Sequence, residues 1–374
     1  MRLEILDIIN LITIVQLFIF ILFLIDKKHR HLANCMLALF LFTQAFGILN
    51  YTCMRHLEIT LAHPDFIFLL GDVRFLWGPV LYLYVQALTV RNYRLSWKHL
   101  FHGLPYCLSL IYLFFNFHFQ GIAIKRMILE DIVTGHYYSR YWILSILTLQ
   151  ILIYNIASLL ILRLYNKRIK EQYSSIEKLN LSWLRFFIFG YIISYFISSA
   201  NALIFQSTSH WSEISAMITF GAFFLFFNII FYKGLVQPDI FSGLAQKSKY
   251  QTLSLKPEQI ELYLKIISDY MIHQEAYLKP GLTLNDMAND IHIAPRHISQ
   301  LVNKQFSQNF YEYVNKYRID HAIKILTDPS KRKMTILEIL YESGFGTKSA
   351  FNKAFKNKTG LTPTKFRRQY LKSI

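Results

Sequence analysis

Seven stretches in the first 242 residues of this 374-residue chain each approach the ~20 consecutive apolar residues a helix needs to cross a bilayer. No soluble core of ordinary size absorbs that many, so the pattern dictates helices that face lipid. The first, Ile8 to Ile25, holds only Asn10, Thr13 and Gln16 as polar residues and ends in Asp26-Lys-Lys-His-Arg-His31. Its leading segment, MRLEILD, is not clearly positive and no small-residue cleavage site follows, which favours a retained membrane helix over a signal peptide. The others are about Leu32–Tyr51, Phe66–Val90, Leu100–Phe119, Trp142–Leu162, Phe186–Phe205 and Ile214–Phe231.

Loop charge gives an orientation, because the side richer in Lys and Arg stays in the cytoplasm. With the N-terminus outside, the inner loops hold twelve: Lys27, Lys28, Arg30, Arg91, Arg94, Lys98, Arg163, Lys167, Arg168, Lys170, Lys178 and Arg185. The outer segments hold five: Arg2, Arg55, Lys125, Arg126 and Arg140. Seven crossings then leave residue 232 onward in the cytoplasm, the expected setting being the cytoplasmic membrane.

Asp72 and Arg74 are the clearest ionisable residues at depth. Intramembrane charges are signal-sensing candidates by default, because an unpaired one costs ~2.5 kcal/mol or more. The structural alternative is that neighbours satisfy them, and the helical spacing points each toward a polar group on another helix rather than toward the other. Cys35, Cys53 and Cys107 lie in or beside apolar segments and are odd in number, which fits packing residues better than a disulfide frame. The outer-loop histidines His56, His63, His136 and His210 match no metal spacing, and the sequence implies no metal and no cofactor.

Beyond residue 242 the composition changes. Residues 243–374 carry 21 Lys+Arg against 11 Asp+Glu, which is +10 of the chain's +17. Such an excess suits anionic lipid as well as nucleic acid, so placement must decide. The expected organisation is a transmembrane domain over 1–232, a linker over 233–256 and a basic all-α domain over 257–374. The linker's reach as a flexible chain is about 25–30 Å by the ~5–6 Å × √n rule.

Within the basic domain, Thr283-Leu-Asn-Asp286 opens a short helix, His292-Ile-Ala falls at a turn, and Pro295 starts PRHISQLVNKQF. Ile298, Leu301, Val302 and Phe306 make its core face and leave Arg296, Ser299, Gln300 and Asn303 outward, with Lys304 beside them. Arg suits guanine, Gln or Asn adenine, and Ser either. The pattern repeats 52–53 residues on. Thr335-Ile-Leu-Glu338 is a capping box, and Gly344 supplies the positive φ of a tight turn. In the helix that follows, Phe351, Ala354 and Phe355 face inward, while Lys348, Ser349, Asn352, Lys353 and Lys356 face out. Gly360 ends that helix, and Thr362-Pro363 opens a last one carrying Arg367 and Arg368. Between the units, Phe310–Thr327 spans about 27 Å at 1.5 Å per residue, a brace suited to setting two reading helices in successive major grooves. Arg296, Gln300, Asn352 and Lys353 are the base-contact candidates, whereas Lys304, Lys356, Arg367 and Arg368 are expected to meet only phosphate or solvent.

Over Leu282 to Arg368 these residues resemble the AraC/XylS family of bacterial transcription regulators. The likeness rests on Ile339, Gly344, Phe345, Ser349, Phe351, Lys353, Phe355, Lys356, Gly360, Thr362, Pro363, Phe366 and Arg367. Leu340, Ala294 and His292 depart from the family pattern, where an alanine, a serine N-cap and a turn glycine are usual. The resemblance implies a two-lobed, seven-helix DNA-binding domain with one recognition helix per lobe, joined to a variable sensor. Here the apolar half looks like the multi-helix membrane sensors fused to such domains in some bacteria. The expected fold is all-α: a seven-helix transmembrane bundle followed by a cytoplasmic domain with two helix-turn-helix units joined by a long helix. The expected protein is a membrane-tethered transcription regulator whose partners are double-stranded DNA, the lipid bilayer, a small-molecule or protein signal and a second copy of itself. The alternative is a transporter or membrane enzyme with a regulatory DNA-binding tail, although no paired carboxylates, metal spacing or phosphate loop support an enzyme.

Overall fold

The computed structural model describes residues 4–25, 32–90, 92–134, 139–177, 179–204, 210–236 and 255–372. Most of the expected linker, residues 237–254, lies outside them, as do Arg2, Lys27, Lys28, Arg30, Arg91 and Lys178. The described residues are helical apart from isolated bridging such as Tyr173 with Thr283, so the all-α expectation holds. The chain divides into two units. One comprises Met1–Arg163 with Leu181–Gln246, and the other Leu164–Asn180 with Lys247–Ile374.

The first unit contains α1 (Ile5–Ile25), α2 (Leu32–Arg55), α3 (Leu57–Ala62), α4 (Arg74–Thr89), α5 (Leu104–Leu113) and α6 (Ile122–Thr134). It also takes the first part of α7 (Ser139–Gln172), with α8 (Ser182–Ile204) and α9 (His210–Val236). Among the described residues, four helical stretches are long and apolar enough to cross a membrane: Ile5–Ile25, Leu32–Arg55, Trp97–His118 and Trp142–Gln172. Shorter apolar stretches, Ser182–Ile197 and Ala216–Ile229, lie within α8 and α9.

The run expected over Phe66–Val90 is the one that differs most. A 3-10 turn at Pro64–Phe66 and a left-handed Gly71 interrupt it, so α4 begins at Arg74 and has 16 residues. Large apolar side chains face outward all along this unit, among them Leu22, Trp142 and Phe186. Polar groups face inward and bond across helices. Asn10 donates to Thr52 Oγ1 at 3.0 Å, Gln16 to Asn228 Oδ1 at 2.6 Å, and Gln44 to the Tyr191 hydroxyl at 3.3 Å. An apolar exterior, with the buried polar groups bonded to one another across helices inside a largely apolar interior, suits a lipid solvent.

The second unit holds α10 (Pro257–Ile272), α11 (Leu284–Asp290), α12 (Pro295–Phe306), α13 (Phe310–Thr327), α14 (Ile336–Glu342), α15 (Lys348–Thr359) and α16 (Pro363–Lys372). The helix starts are where the sequence puts them, for a visible local reason. Thr283 and Asp286, Asn309 and Glu312, and Thr335 and Glu338 each exchange reciprocal backbone-to-side-chain bonds at 2.6 to 3.2 Å. Each satisfies two N–H groups that the first turn leaves orphaned. Ala294 gives α12 no such bond, as its methyl side chain requires.

Two apolar cores form, and α13 serves both. Its Phe310, Tyr313 and Val314 pack with Ile298, Leu301 and Val302 of α12, while its Ile319, Ala322, Ile325 and Leu326 pack with Phe351 and Phe355 of α15. Phe306 is a partial exception to its expected burial: it is 40% exposed and lies against the Tyr313 ring at 5.1 Å.

Candidate nucleic-acid interface

The turns between α11 and α12 and between α14 and α15 are built alike. Ile293 N–H donates to Ala288 O at 3.2 Å, and Phe345 N–H to Leu340 O at 3.1 Å, two bonds related by 52 residues. The residue before each donor is left-handed: His292 has φ 53° and Gly344 has φ 77°. A side chain at that position is strained, so His292 carries a cost that Gly344 avoids. Gly344 is fixed for a second reason. A Cβ there would lie 2.7 Å from Tyr277 O and 2.8 Å from Leu278 O, so the second turn rests directly on the segment before α11.

Each turn delivers a helix with one apolar and one polar face. On α12, Arg296, Asn303 and Lys304 are exposed and Ser299 and Gln300 are half-buried. Asn303 Nδ2 donates to Ser299 O at 2.7 Å, which draws those two side chains into one polar ridge. On α15, Lys348, Ser349, Lys353 and Lys356 are exposed and Asn352 is half-buried, while Ala350, Phe351 and Phe355 are buried. Arg296, Ser299, Gln300 and Asn303 correspond to Ser349, Asn352, Lys353 and Lys356 at a constant offset of 53. Thr347 caps α15 by accepting from Ala350 N–H at 3.3 Å, and left-handed Gly360 ends it. The face so presented is rich in donors and positive charge. It can bond phosphate oxygens or the acceptors of base edges and can enter a major groove as a helix.

Two assignments change. Arg367, grouped by sequence with phosphate-facing residues, is half-buried and donates to Met334 O at 2.6 Å, tying α16 to the loop before α14. Burial lowers its pKa, which fits a side chain committed to the interior, whereas the neighbouring Arg368 is exposed. Asp72 and Arg74 do not reach for other helices. Arg74 Nε and Nη2 donate to the two Asp72 oxygens at 2.7 Å each, and the Arg74 N–H donates to Oδ1 at 3.2 Å. The helix-spacing argument fails because Asp72 lies ahead of α4, where the chain is still turning and its carboxylate folds back onto the helix start.

A polar cluster that no motif announced lies at the junction of α1 and α2. There the buried Asp7 carboxylate is 3.4 Å from Arg55 Nε and 3.1 Å from His56 Nε2, and Glu4 also pairs with Arg55. Its members are some 48 residues apart, so only the packing of α1 on α2 reveals it. Among the described residues, no three His, Cys, Asp or Glu side chains are grouped to hold a metal.

The interface unit also carries a pH dependence. His321, within 3.2 Å of the Tyr277 hydroxyl, has its pKa lowered below 6.5, chiefly by burial. His297 is lowered too, by burial and then by Arg296. A histidine depressed on folding takes up its proton first in the unfolded chain, so this stability is complete above about pH 6.5 and is lost as pH falls from there. Amide hydrogen exchange across α13 in the full chain is therefore expected to show less protection at pH 5.5 than at pH 7.5. His321→Gln should reduce the difference, leaving the part due to His297, and protection that rises on acidification would contradict this account.

Residues 287–369 match a family model described as a helix-turn-helix domain. The C-terminal part of this chain is thus a helix-turn-helix domain of the AraC type. The "Uncharacterized transcriptional regulatory protein YesN" of Bacillus subtilis is 35% identical over 92 residues, 24% of this chain and 24% of that protein. The "Msm operon regulatory protein" of Streptococcus mutans is 32% identical over 89 residues, 24% of this chain and 31% of that one. The "Uncharacterized HTH-type transcriptional regulator YijO" of Escherichia coli is 29% identical over 123 residues, 33% of this chain and 40% of that one. The alignments thus span well under half of each relative. A solved protein of unknown function from Listeria innocua is 28% identical and covers 28% of this chain and 94% of its own, with a TM-score of 0.25.

Proposed function

We propose that this chain is a membrane-tethered transcription regulator. Its C-terminal unit reads DNA through two helix-turn-helix units, α11–α12 and α14–α15, and its apolar half is a transmembrane sensor of seven crossings. The observation that carries the reading is the constant 53-residue offset between the outward polar faces of α12 and α15, each set on its own core and joined by α13. A solvated basic surface has no reason to keep base-reading side chains in register on two helices. The relatives' printed descriptions as transcriptional or operon regulatory proteins support the same activity. The outward apolar faces of the first unit support insertion in the cytoplasmic membrane, and the loop-charge count supports an outer N-terminus and a cytoplasmic DNA reader.

In this reading Arg296, Gln300, Asn352 and Lys353 meet base edges, and Lys304, Lys348, Lys356 and Arg368 meet phosphate, with Ser299, Asn303 and Ser349 supporting either. Asp72 and Arg74 satisfy each other, which favours a structural role. The test is made on the full chain in lipid nanodiscs, offered random-sequence duplex DNA. A common sequence should be enriched, and if six phosphates are neutralised its affinity should fall roughly 10³-fold between about 50 and 200 mM salt. Failure to enrich any sequence, or recovery of the chain from the soluble fraction of cells, would remove the respective half of the proposal.

A further inference from the structure

The second unit contains a piece of chain from outside the C-terminal region. Leu164–Asn180, the end of α7 and the loop after it, belongs to the same compact unit as the DNA-reading helices. The contact is made by extended backbone. Tyr173 and Thr283 face each other in an antiparallel bridge, and Ser174 N–H donates to Leu282 O at 3.0 Å. Ser174 is 1% exposed, which is unusual burial for a serine in a surface loop.

What it is buried against is Arg318 of α13, fully enclosed at 0% exposure. Arg318 Nη2 donates to Ser174 Oγ at 3.1 Å and to Lys279 O at 2.9 Å. Its Nη1 donates to Ser174 O at 3.3 Å and to Asn315 Oδ1 at 3.2 Å, and its Nε to Tyr277 O at 2.7 Å. Asn315 Nδ2 adds a bond to Ser174 O at 3.2 Å. The guanidinium also lies over the Phe345 ring at 5.7 Å. Arg318 thus joins three things: the segment before α11, the turn before α15, and the loop after α7. Burial pulls its pKa down to about 10, with Glu177 of the same loop opposing. A buried cation answered by neutral backbone and side-chain oxygens is costly to assemble, and losing a partner destabilises it.

We propose that Tyr173–Ser175 is a docking strap: the loop after α7 seats on the Arg318 junction and fixes how the α11–α12 pair is set against the α14–α15 pair. The Gly344 turn already rests on Tyr277 and Leu278, so this junction is the place where the two pairs touch. Pulling the strap withdraws three acceptors from Arg318, Ser174 O, Ser174 Oγ and Ser175 Oγ, and frees the pairs to change their mutual setting. The regulatory meaning rests on the proposed membrane-tethered reading, because α7 is one continuous helix from the apolar half into the strap; the docking itself does not.

Two experiments on the full chain test it. Tyr173 and Thr283 form a pair in which Ser174 N–H and Leu282 O bond beyond them, the narrow antiparallel position where Cα atoms approach to about 4.5 Å. With Cys35, Cys53 and Cys107 changed to Ser, Tyr173→Cys combined with Thr283→Cys should form an intramolecular disulfide on mild oxidation of membranes, identified by mass spectrometry of the linked peptides. Absence of the linkage overturns the docking. In the second, Ser174→Gly with Ser175→Gly is measured in nanodiscs against DNA selected by the parent chain and against the same DNA with one base pair inserted between half-sites. The parent's preference for the original spacing should fall at least tenfold while affinity for one half-site stays within twofold. Equal losses on all three DNAs would mean the strap only stabilises the fold, and no loss would mean it sets nothing; either overturns the proposal. If the linked chain proves soluble, the membrane reading fails and the docking stands.

Discussion

Gly344→Ala is expected to melt the α14–α15 pair, whereas alanine at Gly360 weakens it mildly and alanine at Gly346 leaves it almost unchanged. The order follows from two separable costs. A left-handed backbone penalises a Cβ by ~1–2 kcal/mol, which applies at Gly344 (φ 77°) and Gly360 (φ 75°). Overpacking adds about 1–3 kcal/mol and applies at Gly344 alone of the three, where the new atom would meet backbone of Tyr277 and Leu278 at 2.7 to 2.9 Å. At Gly346 and Gly360 nothing lies within 4 Å. The Gly344 total, about 2–5 kcal/mol, is a large part of a typical domain's 5–15 kcal/mol. Hydrogen exchange of α14 and α15 amides in the solubilised full chain is the suitable measurement, since all five tryptophans lie outside the C-terminal unit. A Gly360→Ala loss as large as that at Gly344 would show that the lobe contact contributes nothing.

Adjacent residues on α15 should behave oppositely. Phe351 is 0% exposed and touches Phe345 at 5.2 Å and Phe355 at 5.7 Å between ring centres. Phe351→Ala is expected to cost ~3–5 kcal/mol of stability and all DNA binding with it. Asn352, one residue on, lies on the polar face, so Asn352→Ala should leave stability within about 0.5 kcal/mol. It should instead lose ~1–3 kcal/mol of discrimination at one base pair. Lys356→Ala should weaken binding to every sequence alike and lower the salt slope by about one. If Asn352→Ala and Lys356→Ala gave the same profile across a panel of single-base variants, the assignment of base and phosphate contacts would be wrong.

What could be read from the chain beforehand divides by range of interaction. Capping boxes such as Thr335 with Glu338 and the left-handed turn at Gly344 are local, set by residues three or four apart, and the structure bears them out. The two-faced pattern of α15 is likewise local. Asp72 and Arg74 misled because the apolar run around them suggests helix, while Gly71 and Pro64 break it first. Arg318 did leave a trace. It is a charged residue on the stripe of α13 that also carries Val314 and Ala322, and a cation on an apolar stripe demands partners. The partner itself was hidden. Ser174 sits in an ordinary polar loop 144 residues away, with no pattern to distinguish it.

The length of α7 bears on where the regulated gene must be. Its 34 residues make a rod of about 51 Å at 1.5 Å per residue, against a hydrocarbon thickness of ~30 Å. On the proposed topology the rod's far end carries the strap, so the reader is anchored at two points of its sequence and cannot leave the membrane to scan the chromosome. Target search then belongs to the DNA. On that proposed topology a promoter is found when its locus wanders to the cell periphery, and the speed of the response is set by nucleoid motion and by the gene's position, more than by the affinity of α12 and α15 for their half-sites.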